Sequence, residues 1–156
     1  MLFTRPPPHP SSLPVYATQV LEDVRSLIRP FMTASTMGTL FEQSLARQVI
    51  LNLYPPGQGI TPHIDLPNRY ADGIIGVSLL GGCVMSFQRG DERHDIYLPE
   101  RSVYVMTGEA RWEWTHGIEA RKEDLVNTGR GVETKLRGTR VSMTFRWMSK
   151  GADVLA

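Results

Sequence analysis

The chain has 156 residues, 41% of them hydrophobic and 21% charged, with a net charge of +1. That length supports one domain with its own hydrophobic core, and so balanced a charge excludes the global basic field of a general nucleic-acid binder. Cys83 is the single cysteine, which excludes an internal disulfide, and no apolar run reaches the roughly 18 residues a membrane span requires. No membrane association is expected, and cytoplasm or nucleus is the default location. Residues 1–21 carry Arg5 as their one basic residue before the helix, too little arginine for a transit peptide.

In chain order, residues 1–14 form a Pro-rich lead (Pro6, Pro7, Pro8, Pro10, Pro14) expected to be extended. From Val15 to Ile28 the apolar residues Val20, Leu21, Val24, Leu27 and Ile28 recur at helical spacing, and Pro30 ends the pattern. Met32 to Ala46, with Ser35, Thr36, Gly38 and Thr39, reads as a loop. Period-two or short apolar runs then predict strands over 49–54, 74–80, 84–88, 94–98, 102–107, 110–116 and 141–148, with a hairpin turn at 89–92. Residues 118–138 are polar and Gly-rich and read as a long irregular loop. One leading helix and about seven short strands predict a mainly β (α+β) protein, a sandwich or jelly roll with the N-terminal helix packed outside. Residues 15–150 form a single domain with no internal repeat.

Three segments carry candidate chemistry. His63 and Asp65 sit two apart on an extended stretch after Pro55-Pro56-Gly57, so both side chains point the same way and can chelate one ion. The alternative is a surface loop with incidental polar groups. His116 lies fifty-one residues beyond Asp65, after Trp112 and Trp114, which share its face if the segment is a strand. Such a histidine is either a packed core residue or a ligand kept dry by its neighbours. Two histidines and one carboxylate form the facial set that holds Fe(II) and leaves positions open for a co-substrate and O2. In the last strand Arg140, Ser142, Thr144 and Arg146 occupy one face and Val141, Met143 and Phe145 the other. Two arginines turned inward are costly without an anion, so that face looks either into a cavity holding a dicarboxylate or out to water. Asn52 and Tyr54 supply further hydrogen-bonding groups, facing away from Val49, Leu51 and Leu53.

Asn52-Leu53-Tyr54-Pro55-Pro56-Gly57, His63-Ile64-Asp65, Thr107-Gly108-Glu109-Ala110-Arg111, Trp114-Thr115-His116-Gly117-Ile118 and the stretch from Arg140 to Arg146 resemble, in that order, the signatures of AlkB-type 2-oxoglutarate, Fe(II)-dependent dioxygenases. The form of the fourth segment is most similar to the eukaryotic branch that includes the tRNA wobble-uridine hydroxylase. The resemblance implies a double-stranded β-helix using Fe(II), 2-oxoglutarate and O2. It implies that His63, Asp65 and His116 bind iron and that Asn52 and Tyr54 contact 2-oxoglutarate. Arg140 would then hold the distal carboxylate, while Ser142 and Arg146 complete the pocket. Two features depart from the family pattern. One helix and a loop precede Asn52 where the family carries further strands and a nucleotide-recognition lid. Pro67 also stands where base-demethylating members often place a polar side chain.

The implied reaction hydroxylates a substrate carbon or removes an N-methyl group through hydroxylation, with 2-oxoglutarate converted to succinate and CO2. A modified nucleic-acid base, in DNA, RNA or tRNA, is the expected substrate, because such an enzyme must present an unpaired base to its iron. Trp112, Trp114 and Tyr70 are candidate stacking surfaces. Arg111, Arg121, Lys122, Arg130, Lys135, Arg137 and Arg140 form either a local phosphate-binding patch or solvated loop charge. A protein or other substrate, a non-catalytic metal-binding jelly roll and a cupin-like enzyme without a keto acid are the competing readings. No particular protein partner is indicated.

Overall fold

The computed structural model describes residues 2–4 and 12–152, with the backbone alone for Leu2 and Phe3. The central part of the Pro-rich lead lies outside the described residues. Near its start, β1 (Leu2–Phe3) pairs with β2 (Arg47–Tyr54), matching Leu2 to Val49 and Phe3 to Gln48.

The chain then runs through α1 (Val15–Ile28) and a 3₁₀ turn (Arg29–Phe31) to α2 (Ala34–Phe41). After β2 come β3 (Ile60–His63), β4 (Ile74–Leu80), β5 (Cys83–Arg89), β6 (Glu92–Leu98) and β7 (Ser102–Met106). The remaining elements are α3 (Glu109–Trp112), β8 (Thr115–Ile118), β9 (Glu123–Asn127), β10 (Val132–Leu136) and β11 (Arg140–Trp147). The strands build a five-stranded sheet in the order β1-β2-β11-β4-β7 and a four-stranded sheet in the order β3-β8-β5-β6, with β9-β10 as a separate hairpin. All pairings are antiparallel. This is the expected mainly β jelly roll. Among the described residues no helix is long and apolar enough to cross a membrane.

α1 forms where the apolar spacing predicts it, burying Ala17, Val24 and Ile28 against the outside of the larger sheet. There they meet Val49, Ile75, Val77, Met143 and Phe145, and each fully buried Val or Ile contributes about 1.5–3 kcal/mol. A smaller cluster, Cys83, Met85, Leu98 and Ile118 with Phe87 and Tyr104, joins the smaller sheet to the interior.

Three expectations are corrected. The loop expected over 32–46 contains α2, because Thr33 caps it by accepting from the Thr36 N–H at 3.1 Å. Met37, Leu40 and Phe41 then give it an apolar stripe. The strand expected over 110–116 is instead the helical turn α3 followed by a later strand. Gly108, at φ +53, turns the chain, and its N–H is held by Asp72 at 3.0 and 3.1 Å. The irregular loop expected over 118–138 contains the β9–β10 hairpin. Its inward positions include Asp124, 1% exposed, which a hydrophobicity pattern counts as outward.

Candidate active site

β11 is the spine of the site. Arg140, Ser142, Thr144 and Arg146 face a cavity of about 250 Å³ between the sheets, while Met143 and Phe145 enter the outer core. The pairing of β11 with β2 sets Tyr54 opposite Arg140 and Asn52 opposite Ser142, and both β2 side chains line the same cavity. On the other flank of β11, Ser78 of β4 pairs with Ser142.

The two arginines meet different surroundings. Arg140, 6% exposed, donates from Nη1 to Ser78 Oγ at 2.9 Å, and its buried Nε has no hydrogen-bond partner among the described residues. Arg146 donates from Nη2 to Asp65 Oδ1 at 2.9 Å and from Nη1 to Gln48 Oε1 at 3.3 Å, over the Tyr70 ring. A buried guanidinium beside a single hydroxyl is an open anion site, since its desolvation goes unbalanced until a carboxylate arrives. Tyr54 and Tyr104 line the same space. Burial raises the pKa of both phenols, that of Tyr104 to about 12, so each keeps its proton for donation. Tyr104 lies across β4 because its cross-strand partner is Gly76, where a Cβ would collide with the ring.

His63, Asp65 and His116 line the other end of the cavity. His63 and His116 are direct cross-strand partners on β3 and β8, with ring centroids 4.5 Å apart. Their strands approach closely because residue 117 is glycine, where a Cβ would meet Pro62 Cα at 2.9 Å. The His63 Nδ1 bonds the Thr61 carbonyl at 2.9 Å. A carbonyl only accepts, so Nδ1 carries the proton and Nε2 the lone pair. That Nε2 lies 4.0 Å from Asp65 Oδ1. Burial first, then the neighbouring His63, holds His116 down to about 4, so its imidazole is neutral at pH 7. The buried Oδ2 of Asp65 has no hydrogen-bond partner among the described residues.

As they stand, no three His, Cys, Asp or Glu side chains among the described residues converge tightly enough to hold an ion. Arg146 occupies Asp65 Oδ1 and neutralises it. The donors nonetheless fit a divalent metal in kind: two imidazoles and one carboxylate, whose Oδ2 is without a hydrogen-bond partner among the described residues.

Every residue the sequence marked for metal or co-substrate therefore borders one cavity. Ser78, Gln48 and Tyr104 were not marked. Each reaches the site through strand pairing, for which the sequence offers no local signal. The aromatic expectations need correction. Tyr70 is 7% exposed and packs under Arg146, so it offers no stacking surface. Trp112, Trp114 and His116 do not share a strand face: Trp112 covers Arg111, and Trp114 bonds Glu109 at 2.8 Å under Arg89. The basic cluster also disperses. Arg111, Arg137 and Arg140 are buried, Arg121 and Lys135 are paired with carboxylates, and Lys122 and Arg130 stay exposed.

A second groove of about 300 Å³ lies on the outer side of the smaller sheet, against Thr61, Gln88, Arg93 and Thr115. It holds no histidine or cysteine, so the chemistry belongs to the inner cavity.

Fold and cavity together define a jelly roll that brings a two-histidine, one-carboxylate cluster beside an arginine seeking an anion. The chain belongs to the 2OG-Fe(II) oxygenase superfamily, whose family model matches residues 5–146. That family uses Fe(II), 2-oxoglutarate and O2. Uncharacterized protein L905 of Acanthamoeba polyphaga mimivirus is 35% identical over 142 residues, covering 89% of this chain and 60% of that protein. The tRNA (carboxymethyluridine(34)-5-O)-methyltransferase alkbh8 of Xenopus tropicalis is 38% identical over 112 residues, covering 64% of this chain and 18% of that protein. The chain thus spans less than two thirds of either relative. The solved structure of OsALKBH1 shares the fold, with a TM-score of 0.58, 20% identity, and coverage of 88% of this chain and 67% of that one.

Proposed function

We propose that this protein is a 2-oxoglutarate- and Fe(II)-dependent dioxygenase that hydroxylates or oxidatively demethylates a modified nucleic-acid base. The observation that carries the oxygenase reading is the single cavity shared by His63, Asp65, His116 and Arg140, a buried guanidinium with no carboxylate partner among the described residues. His63, Asp65 and His116 would hold the iron, through His63 Nε2, a ring nitrogen of His116 and an Asp65 oxygen. When bound, Fe(II) supplies the oxidative chemistry that couples decarboxylation of 2-oxoglutarate to insertion of oxygen into a substrate C–H bond.

The chain's own residues bind and orient. Arg140 takes the distal carboxylate of 2-oxoglutarate, with Tyr54 donating its retained proton and Asn52 and Ser142 completing the polar wall. Arg146 balances Asp65 and holds it against rotation. Met85, Met106 and Ile118 line the cavity with apolar surface and exclude water around the reacting atoms.

The nucleic-acid reading draws on the tRNA-modifying relative in Xenopus and on one structural feature. Phe87, His94, Ile96 and Trp114 line an apolar groove of about 250 Å³ that shares Met106 with the inner cavity. His94 and Trp114 rings lie 5.3 Å apart there, tilted by 41°, and offer aromatic edges and faces against which an unpaired base can pack.

The test is release of CO2 from carboxyl-labelled 2-oxoglutarate with Fe(II), followed by a panel of modified oligonucleotides. Turnover lost in His63→Ala and Asp65→Ala supports the oxygenase reading, and an unchanged rate in either overturns it. Turnover stimulated by protein substrates and by no oligonucleotide overturns the nucleic-acid reading alone.

A further inference from the structure

The segment Thr107-Gly108-Glu109-Ala110-Arg111 has no part in the reading above, yet it contains the largest fully buried side chain described. Arg111 is 2% exposed and lies outside the cavity lining. Its guanidinium donates to three backbone carbonyls: Nε to Ala71 at 3.2 Å, Nη1 to Asp65 at 3.0 Å and Nη2 to Tyr70 at 2.7 Å. Among the described residues it forms no ion pair, and the Trp112 ring covers it at 4.2 Å.

A buried cation with no direct ion pair is costly to keep, and burial lowers the pKa of Arg111 despite the nearby Asp65 and Asp72. An apolar side chain would fill the same space without that cost but would leave three carbonyls unsatisfied. What the guanidinium does is fix one loop at three points. That loop begins at Asp65, whose own carbonyl is one of the three acceptors. At its other end Asp72 accepts from Gly108 N–H, tying the loop to the start of α3. The residues following α3 lead directly into β8 and His116. One side chain therefore joins the segment carrying Asp65 to the segment carrying His116, while strand pairing already joins His63 to His116.

We propose that Arg111 is a positioning residue for the metal site, clamping the Asp65–Ala71 loop against α3 so that Asp65 and His116 keep a fixed separation. This rests on the metal reading given above. Lysine cannot replace it, because one ammonium lacks the planar fork that reaches three carbonyls in different directions.

The experiment titrates Co(II) into metal-free protein, read by visible absorption, for the wild type, Arg111→Lys, Arg111→Met and Val24→Ala. The last removes apolar volume from the outer core, away from the site. Melting temperatures are recorded alongside. Arg111→Lys is expected to weaken Co(II) binding about tenfold, in the range typical of residues that orient ligands. Its kcat should fall while its KM for 2-oxoglutarate stays within about twofold, because Arg140 is untouched. Val24→Ala should melt lower yet bind Co(II) like the wild type. Wild-type Co(II) affinity in Arg111→Lys overturns the proposal, as does an equal loss of affinity in Val24→Ala. If Arg111→Met fails to fold, the lysine variant decides. Failure of the wild type to take up Co(II) overturns the metal reading itself, a result distinct from a wild type that binds and a lysine variant that binds equally.

Discussion

Replacing Arg140 with Met should stabilise the ligand-free protein while ruining its use of 2-oxoglutarate. The guanidinium is 6% exposed, its Nη1 bonds one serine hydroxyl, and its Nε has no partner among the described residues. Methionine fills most of the same volume without a charge to desolvate, so the folded state should gain about 1–3 kcal/mol. With co-substrate the sign reverses. Loss of a charge-assisted pair to a buried carboxylate costs about 3 kcal/mol, which is about a hundredfold in KM for 2-oxoglutarate. Arg140→Lys should fall between the two, keeping the charge and losing the fork. Urea denaturation without ligand gives the first quantity, and succinate formation against 2-oxoglutarate concentration gives the second. A methionine variant that loses more than about 1 kcal/mol without ligand, with KM unchanged, would show that Arg140 is a structural ion and refute the reasoning.

Three further outcomes follow from the same structure. Gly117→Ala pushes a methyl against Pro62 and the Ile60 carbonyl; it should cost about 2 kcal/mol and weaken metal binding, since β3 and β8 carry His63 and His116 in register. Calorimetry and Co(II) titration check both, and wild-type values would show that the strands are free to separate. Metal-free protein should lose stability as pH falls from about 6.5 to 4. Across that window the unfolded histidine takes up a proton that His116, held at about 4, refuses. The loss is at most about 3 kcal/mol, is absent above pH 6.5, and should vanish in His116→Gln; parallel melting profiles for the two proteins would refute it. Asp124→Ala strands Arg137, which binds Asp124 through Nε and Nη2, and leaves the Val84 N–H unpaired. A loss of about 3–5 kcal/mol is expected in urea, with Co(II) affinity per folded molecule retained; a loss below about 1 kcal/mol would mean that Asp124 is solvated.

The parts of the site legible in the sequence were those set by local period. Alternation along Arg140 to Arg146 put both arginines on one face of the strand, and the spacing of His63 and Asp65 put them on one side. The parts that were not legible depend on pairing between distant strands. Nothing near Ser78 or Gln48 in the chain signals that each receives an arginine from β11. The misread elements share a second cause. In β9 the inward position is Asp124, and at α3 it is Arg111, both nearly inaccessible to solvent. A hydrophobicity pattern assigns such residues to the outside, because a charge is normally too costly to bury. The assignment fails where hydrogen bonds meet the charge from several directions: Arg137, Arg121 and the Val84 N–H around Asp124, and three carbonyls around Arg111. On β2 the face opposite Asn52 and Tyr54 is only partly covered: Val49 is buried, while Leu51 and Leu53 are 49% and 65% exposed. Val49 packs in the cluster with residues of α1 and α2, which Leu51 and Leu53 do not join. Period therefore identifies the strand, and what lies above each residue decides whether its outer face is covered.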